Sequence, residues 1–196
     1  VNGNCQGLFA IADILKENAS DTISKLQKQG IKTIVLSGDN RLAADYIGKE
    51  IGADEIYAEV LPDGKAEVIR EIRQKYGVVM MVGDGINDAV ALTEADVGCA
   101  IGSGSDIAIE AADIVLMGAD ISNVVRAINL SRITIKNIKQ NLFWAFCYNT
   151  VCIPIAAGLL YVFGGPLLSP MLGGLAMSFS SVFVVGNALR LRGKKL

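Results

Sequence analysis

Two carboxylates and one amide lie within five residues of each other, directly after a strongly apolar run. They belong to the stretch Met81-Val-Gly-Asp-Gly-Ile-Asn-Asp88, in which a glycine on each side of Asp84 lets the backbone turn. If Asn87 opens a helix, the side chains of Asp84, Asn87 and Asp88 can face one position. Such oxygen ligands suit Mg²⁺, which binds a few carboxylates together with water and phosphate. The spacing favours a magnesium-dependent phosphate site, although a Gly-Asp-Gly stretch alone is often only a turn.

Two further polar loops offer groups that bind phosphate. The stretch Ser37-Gly-Asp-Asn40 follows another predicted strand and supplies a hydroxyl and backbone N–H groups at a helix N-terminus. Lys65 follows Pro62 near the start of the next predicted helix, where a cation can neutralise developing phosphate charge. Taken singly, these features fit a capped turn and a solvated lysine. Their arrival from successive loops in this order favours one shared phosphate site.

An alternation of strands and helices must position these loops. The predicted strands are apolar or β-rich runs and the predicted helices have helical spacing, with Gly and Pro at their ends. The strands are Cys5–Ala12, Ile31–Leu36, Ile56–Val60, Val78–Val82, Val97–Ile101 and Ile114–Met117, and the helices are Asp21–Gln29, Leu42–Ile51 and Pro62–Tyr76. This order predicts an α/β fold with a doubly wound parallel sheet and ligand chemistry at the carboxyl ends of the strands.

The C-terminal part of the chain is a different kind of sequence. Residues 141–189 contain no Lys, Arg, Asp or Glu. Two membrane-spanning helices need about 40 apolar residues plus a turn, so the tract predicts a transmembrane hairpin. Its spans are Leu142–Val162 and Leu168–Leu189, with Gly164, Gly165 and Pro166 in the turn. A buried hairpin in a large soluble protein is the alternative that would also exclude charge.

Charge divides the chain in the same way. All 20 acidic and 10 of the 18 basic residues lie in residues 1–120, which leaves a net charge of −10 there and +8 in the remainder. The acidic part argues against nucleic-acid binding, and the basic part suits membrane lipid of the anionic cytoplasmic leaflet. Basic residues flank both ends of the apolar tract, which predicts an integral membrane protein with its soluble domain and both termini in the cytoplasm. The sequence therefore predicts a soluble domain at residues 1–120 and a linking helix at residues 121–141. The two spans follow at residues 142–189, and a basic tail at residues 190–196.

Several motifs together resemble those of a known family. The stretches Ser37–Asn40, Leu61-Pro-Asp-Gly-Lys65 and Gly83–Leu92 are similar to the later motifs of the P-type ATPases, which belong to the haloacid-dehalogenase-like phosphotransferases. The stretch Ile101–Asp113 resembles the heavy-metal-transporting branch most closely. The resemblance covers nearly the whole chain. It implies a partial haloacid-dehalogenase-like sheet and a pump that works through an aspartyl-phosphate.

The resemblance also implies residue roles. Asp84 would be a Mg²⁺ ligand, Asn87 and Asp88 would support the metal and phosphate, and Lys65 and the Ser37 hydroxyl would hold the phosphoryl group. Asp13 corresponds to an acidic position close to that site. Ser37 stands where the family usually has Thr and keeps the hydroxyl. The remaining residues expected around the cofactor and phosphate are Gly38, Asp39, Asn40, Gly83 and Gly85.

Polar side chains inside the predicted spans are candidates for an ion path, because such groups are costly in a membrane. Tyr148 and Asn149 are neighbours in the first span, and Met177 and Ser181 stand four residues apart in the second. A thioether and oxygen ligands suit a soft monovalent ion such as Cu(I), whereas close helix packing by small residues is an equally good interpretation from chemistry alone. The four residues resemble the paired motifs of copper-transporting P-type ATPases, which implies that they coordinate transported Cu(I). Cys147 and Cys152 are either auxiliary ligands or small buried hydrophobes.

The family resemblance also indicates what lies elsewhere. The chain shows no Asp-Lys-Thr-Gly-Thr loop, nucleotide-binding insertion, actuator motif or Cys-Pro-Cys motif. It is therefore expected to be the C-terminal segment of a pump, inactive alone, with ATP bound by another domain. Its expected partners are the other domains and helices of the pump, Cu(I), membrane lipid and a copper chaperone. The alternatives are a membrane-anchored phosphatase, for which Ala10-Ile-Ala-Asp13 supplies only one carboxylate, and a non-catalytic metal-binding membrane protein.

Overall fold

The structure is a computed structural model that describes residues 15–83, 86–102, 106–118, 120–166 and 169–193. The predicted strand Cys5–Ala12 and the predicted site residues Asp13, Asp84 and Gly85 lie outside the described residues, and so does the side chain of Met177. The chain divides into two compact units, residues 1–125 and 126–196.

The first unit begins with two strand–helix repeats. Helix α1 spans Ala19–Lys28, strand β1 Ile34–Leu36, helix α2 Arg41–Ile51, strand β2 Glu55–Tyr57 and helix α3 Pro62–Tyr76. Strands β1 and β2 are parallel, with Val35 opposite Ile56. Sequence signals fix the helix ends: Asn40 Oδ1 accepts a bond from Ala43 N, Gly52 ends α2 with φ of 75°, and Pro62 is the first residue of α3.

Three more strands complete the α/β part. Strand β3 spans Met80–Gly83, a 3₁₀ turn Ile86–Asp88, helix α4 Ala89–Glu94, strand β4 Val97–Ile101, helix α5 Asp106–Ala111 and strand β5 Ile114–Leu116. They form a parallel sheet in the order β3-β4-β5, in which Cys99 lies opposite Val82 and Ile114. The predicted parallel α/β fold is confirmed. Among the described residues, however, the strands form two sheets, β1-β2 and β3-β4-β5.

Strand β4 lies at the centre of the core. Cys99, Ala100 and Ile101 are buried there, and Ile69 of α3 and Leu92 of α4 are each 1% exposed. Burial raises the pKa of the Cys99 thiol to about 11. At neutral pH this thiol is therefore protonated, and it fills the core as a small apolar group.

Gly98 of β4 accommodates the close approach of α4, and Gly98→Ala is expected to destabilise the first unit by about 2 kcal/mol. An added Cβ would lie 2.6 Å from the Leu92 carbonyl oxygen, which belongs to the backbone and cannot rotate away. Hydrogen exchange of the full chain should show β3–β5 amides exchanging faster. Val90→Ala is the control, because Val90 is on α4 and 58% exposed. Unchanged protection in Gly98→Ala would contradict the packing described here.

Asp54 ties the start of β1 to the loop before β2. Its Oδ2 accepts bonds from the Thr33 amide and the Thr33 hydroxyl, both at 2.7 Å. The bond from the Thr33 amide is the main reason that the pKa of Asp54 lies below its ordinary value. Because the folded state has the lower pKa, the carboxylate stabilises the fold above pH ~4, and this contribution is lost as pH falls through the folded pKa.

We therefore expect exchange protection around β1 and β2, corrected for intrinsic rates, to fall as pH is lowered below about 4. Asp54→Asn should show lower protection at neutral pH and a flatter pH profile. Asp63→Asn is the control, since Asp63 is an exposed residue in the first turn of α3. Wild-type protection that does not change with pH would show that Asp54 has no such role.

The second unit is helical. Helix α6 spans Ser122–Ala156, helix α7 Leu159–Val162 and helix α8 Pro170–Arg192. Helix α6 passes without interruption from the linking region into the apolar tract. The predicted first span, 142–162, is not one helix, because α6 ends two residues after Pro154 and Gly158 adopts φ of 95°. Within the described helices, one stretch is long and apolar enough to cross a membrane, Gly173–Leu191 of α8.

Three asparagines join α6 to α8. Asn137 Nδ2 donates to the Asn187 carbonyl at 2.8 Å, Asn187 Nδ2 donates to Asn141 Oδ1 at 2.8 Å, and Asn141 Nδ2 donates to Asn137 Oδ1 at 3.2 Å. Asn137 is 8% exposed. Such amide bonds between helices give α6 and α8 a defined register in apolar surroundings.

Candidate phosphoryl site and ion path

A nearly buried ion pair lies at the carboxyl end of β3. Lys65, near the start of α3, places its Nζ 2.5 Å from Oδ1 of Asp88, in the 3₁₀ turn after β3. The two side chains are 13% and 15% exposed. The structure thus brings together two predicted site residues that are 23 positions apart. A pair so shielded from water holds the Lys65 ammonium in a fixed position at this edge of the sheet.

The Ser37 loop after β1 is closed by its own side chains. Ser37 Oγ donates to Asp39 Oδ2 at 2.8 Å and accepts from the Asp39 amide at 3.1 Å. Asn40 caps α2, so the predicted helix N-terminus follows directly. The hydroxyl therefore stands beside the N-terminal end of a helix, where an anion is favoured.

The loop after β2 connects the Ser37 loop to the start of α3. Val60 N donates to the Ser37 carbonyl at 3.1 Å, and Glu59 N donates to the Asp39 carbonyl at 2.9 Å. Lys65 N donates to the Leu61 carbonyl at 3.1 Å. These bonds link the loops that carry Ser37 and Lys65. The first turn of α3, which carries Lys65, therefore follows directly on a loop that is bonded to the Ser37 loop.

Sequence reasoning missed Glu59. Its backbone has φ of 60°, a conformation that non-glycine residues rarely adopt. Its Oε1 also accepts a bond from the Arg41 amide at 3.3 Å. Glu59 therefore contacts the Ser37 loop through its backbone and the first residue of α2 through its side chain. No sequence signal identifies it, because Gly or Asn is the residue usually expected at positive φ.

Gly83 is required for the position of Asp88. A Cβ at Gly83 would lie 2.8 Å from Asp88 Oδ2 and 2.9 Å from Asp88 Cβ. The predicted role of Gly83 near the site thus has a steric reason. Asn87 lies in the same 3₁₀ turn and is exposed.

Gly83→Ala should force Asp88 away from Lys65. We expect amides of the 3₁₀ turn and of the first turn of α3 to lose roughly tenfold in exchange protection, about 1.4 kcal/mol. Hydrogen exchange on the full chain measures this effect. In the control Gly64→Ala, the added Cβ lies 3.5 Å from Val60 Cγ1, an ordinary contact. If both variants retain full protection, the close contact between Gly83 and Asp88 does not constrain the pair.

The oxygen donors at this edge of the sheet can be compared with the ligands that Mg²⁺ prefers. Asp88 supplies a carboxylate and Asn87 an amide, and both are hard oxygen donors of the kind Mg²⁺ accepts beside phosphate and water. Asp84, the third predicted member, lies outside the described residues. Among the residues that the structure describes, no cluster of three His, Cys, Asp or Glu side chains could hold a metal without such added ligands. Asn87 and Asp88 therefore supply two oxygen donors of the kind that Mg²⁺ accepts, and a complete magnesium site needs further ligands.

The predicted ion-path residues lie on α6 and α8. Asn149 Nδ2 donates to the Ala145 carbonyl at 2.9 Å, which turns the amide nitrogen toward the helix backbone. Tyr148 lies four residues before Cys152, one turn away on the same helix. Ser181 is exposed on α8, whose residue Met177 completes the predicted set. The structure thus locates these residues on two helices that the asparagine bonds hold together.

Comparison with known proteins gives three kinds of match. A family model for haloacid dehalogenase-like hydrolases matches residues 1–96. Copper-transporting ATPase 1 of Rhizobium meliloti is 53% identical over 98% of this chain and 23% of its own length. The silver exporting P-type ATPase of Salmonella typhimurium is 48% identical over 100% of this chain and 24% of its own length.

Among solved structures, a zinc-transporting PIB-type ATPase in its E2.Pi state matches with a TM-score of 0.81. It is 37% identical and covers 92% of this chain and 28% of its own. The chain therefore spans about a quarter of the length of the curated relatives it matches.

Proposed function

We propose, from the premise that this chain belongs to the P-type ATPases, that it forms the end of the phosphorylation domain and the last two membrane helices of a Cu(I)-translocating pump. The observation that carries the proposal is the shielded pair of Lys65 and Asp88, in which Lys65 belongs to a helix that follows directly on the loop bonded to the Ser37 loop. These are the groups that a site for a phosphorylated aspartate needs, since phosphoryl transfer depends mainly on positioning and charge stabilisation.

The site residues act on the phosphoryl group in distinct ways. The Lys65 ammonium neutralises its growing negative charge, and Asp88 fixes where that ammonium lies. The Ser37 hydroxyl, now bonded to Asp39, turns its proton to a phosphoryl oxygen. Asp84, Asp88 and Asn87 would hold Mg²⁺, which would supply further charge neutralisation at the phosphoryl oxygens. The aspartate that is phosphorylated and the domain that binds ATP belong to other parts of the pump.

Because of that division, the chain alone is inactive in this proposal. It needs the nucleophilic aspartate before a phosphoryl group can be accepted. Turnover of an aryl phosphate by the isolated chain would instead support the membrane-anchored phosphatase.

The cargo follows from the chemistry of the apolar tract. The chain has no His, and residues 121–196 have no Asp or Glu, so apart from the thiols of Cys147 and Cys152 the usual zinc ligands are absent from this part of the sequence. What remains are the thioether of Met177 and the oxygens of Tyr148, Asn149 and Ser181. Such a set favours a soft monovalent ion, Cu(I) or the similar Ag(I). Cys147 and Cys152 are further soft donors on α6.

The membrane arrangement belongs to the same proposal. Helices α6 to α8 cross the bilayer as a hairpin, and the basic residues at both open ends lie in the cytoplasm. The hairpin contacts membrane lipid and the other helices of the pump. A copper chaperone would deliver Cu(I) on the cytoplasmic side.

A chimera tests the proposal directly. In it, this chain replaces the matching segment of the Rhizobium meliloti relative, whose remaining parts supply what the chain lacks. With Cu(I) and γ-labelled ATP, the chimera should form a labelled phosphoenzyme that hydroxylamine removes, as expected for an acyl phosphate. A chimera that inserts into membranes but incorporates no label would contradict the proposed role of the segment.

A further inference from the structure

The second unit carries basic side chains but no Asp or Glu in its sequence. Residues 121–196 carry eight basic side chains and no acidic one. In the proposed orientation these charges lie at the cytoplasmic membrane surface, where anionic lipids attract basic groups.

Three of the cations share one face of α6. Arg132, Lys136 and Lys139 are spaced four and three residues apart, and Phe143 continues the same row. An open cleft of about 580 Å³ runs along this face, lined by these four residues together with Ser131, Ile135, Gln140 and Trp144. The cleft combines cationic groups at one end with aromatic rings at the other.

The aromatic end is structured. The rings of Phe143 and Trp144 pack edge to face, with centroids 5.5 Å apart and planes at 72°. Both are more than 60% exposed, so their outer faces are open to a partner. Aromatic rings of this kind collect at the headgroup level of membranes.

The spacing along the helix fits a phospholipid. Lys136 and Phe143 are seven residues apart, which is about 10 Å along a helix. The headgroup layer on each side of a bilayer is of similar depth, roughly 5–8 Å. The last charge before the apolar tract is that of Lys139, so the cleft spans the change from headgroup to hydrocarbon.

A second, smaller cleft of about 160 Å³ adjoins the first through Lys136 and Gln140. Its lining includes Asn137 and Asn187 of the asparagine bonds and brings Arg190 of α8 close to Lys136. Cations from both helices thus converge beside amide groups that can donate to phosphate oxygens.

We propose that the cleft of α6 binds the headgroup of an anionic phospholipid, with its phosphodiester at Lys136 and Lys139 and its acyl chain along Phe143 and Trp144. This inference rests on the proposed membrane location. It adds a defined lipid site to the general attraction of basic residues for an anionic leaflet.

The single tryptophan of the chain gives a direct readout, because Trp144 lines the cleft. The full chain is placed in vesicles of equal phosphatidylglycerol and phosphatidylcholine, with bromine on the acyl chains of one lipid or the other. We expect quenching of Trp144 by brominated phosphatidylglycerol to exceed quenching by brominated phosphatidylcholine roughly threefold. In the double variant Lys136→Gln, Lys139→Gln, the two brominated lipids should quench Trp144 equally.

The double variant Lys194→Gln, Lys195→Gln removes the same charge from the basic tail and should keep the preference. If both double variants lose the preference for phosphatidylglycerol equally, the preference comes from general electrostatic attraction. That result would contradict the proposed lipid site. Loss of preference on adding inorganic phosphate at matched ionic strength would assign the cleft to free phosphate. Flotation separates the two proposals: a chain that fails to float contradicts the membrane location, whereas a floating chain without lipid preference contradicts only the lipid site.

Discussion

Replacing Lys65 by alanine in the chimera is expected to lower the rate of phosphoenzyme formation on the order of 100-fold to 1,000-fold, as does removing one preorganised donor from a site of developing charge. The ammonium is only 13% exposed and is fixed by Asp88 at 2.5 Å, so its charge is both shielded and positioned. A water molecule in place of the ammonium would supply neither the positive charge nor the fixed position. Rapid-quench measurement of label from ATP gives the rate.

Two comparisons make that result specific. Lys49→Ala removes an exposed lysine from α2 and should leave the rate unchanged. Lys65→Arg keeps the charge but not the compact ammonium, and should recover only part of the rate. If Lys65→Ala forms phosphoenzyme at the wild-type rate, Lys65 does not stabilise the transferred phosphoryl group, and its pairing with Asp88 serves only the fold.

The double variant Asn149→Ala, Met177→Ala should lose Cu(I) binding in the detergent-solubilised chain. The physical reason is that an apolar tract offers few ligands, so that removing an oxygen donor and the soft thioether leaves an incomplete site. Cu(I) and Zn(II) stoichiometry, measured under reducing conditions against a competing chelator, should change from selective Cu(I) binding to none. The expected loss in affinity is about 100-fold or more.

Met171→Ala is the matched control, because it removes a second thioether from α8 that is 76% exposed. It should bind Cu(I) as the wild type does. Persistent Cu(I) binding in the Asn149→Ala, Met177→Ala variant would contradict the proposed ligand set. If that remaining binding disappears on replacing Cys147 and Cys152, the thiols of α6 are the true ligands.

Much of the first unit could be predicted because its signals are local. The apolar run Val97–Ile101 is strand β4, and Asn40, Gly52 and Pro62 mark helix ends through their own backbone or capping chemistry. The pairing of Lys65 with Asp88 follows from the rule that ligand groups meet at the carboxyl ends of parallel strands. These predictions depend on chemistry within a few residues and on one topological rule.

Other features depend on contacts that a sequence does not display. The left-handed backbone of Glu59 is held by bonds to the Ser37 loop. The break in the apolar tract at Gly158 depends on how α6 ends after Pro154, whereas hydropathy alone favoured one continuous span. The asparagine bonds join residues 46 and 50 positions apart, and no local pattern indicates which of many asparagines will meet. Tertiary contacts determine all three.

The central claim is that this segment couples phosphoryl transfer to Cu(I) movement, and ATP-dependent transport of radioactive Cu(I) by the chimera in proteoliposomes tests it most directly. We predict ATP-dependent Cu(I) movement in the chimera, none in its Asp84→Ala variant, and no movement of Zn(II) in either. Cu(I) transport that survives Asp84→Ala, or ATP-dependent movement of Zn(II) without Cu(I), would contradict the claim.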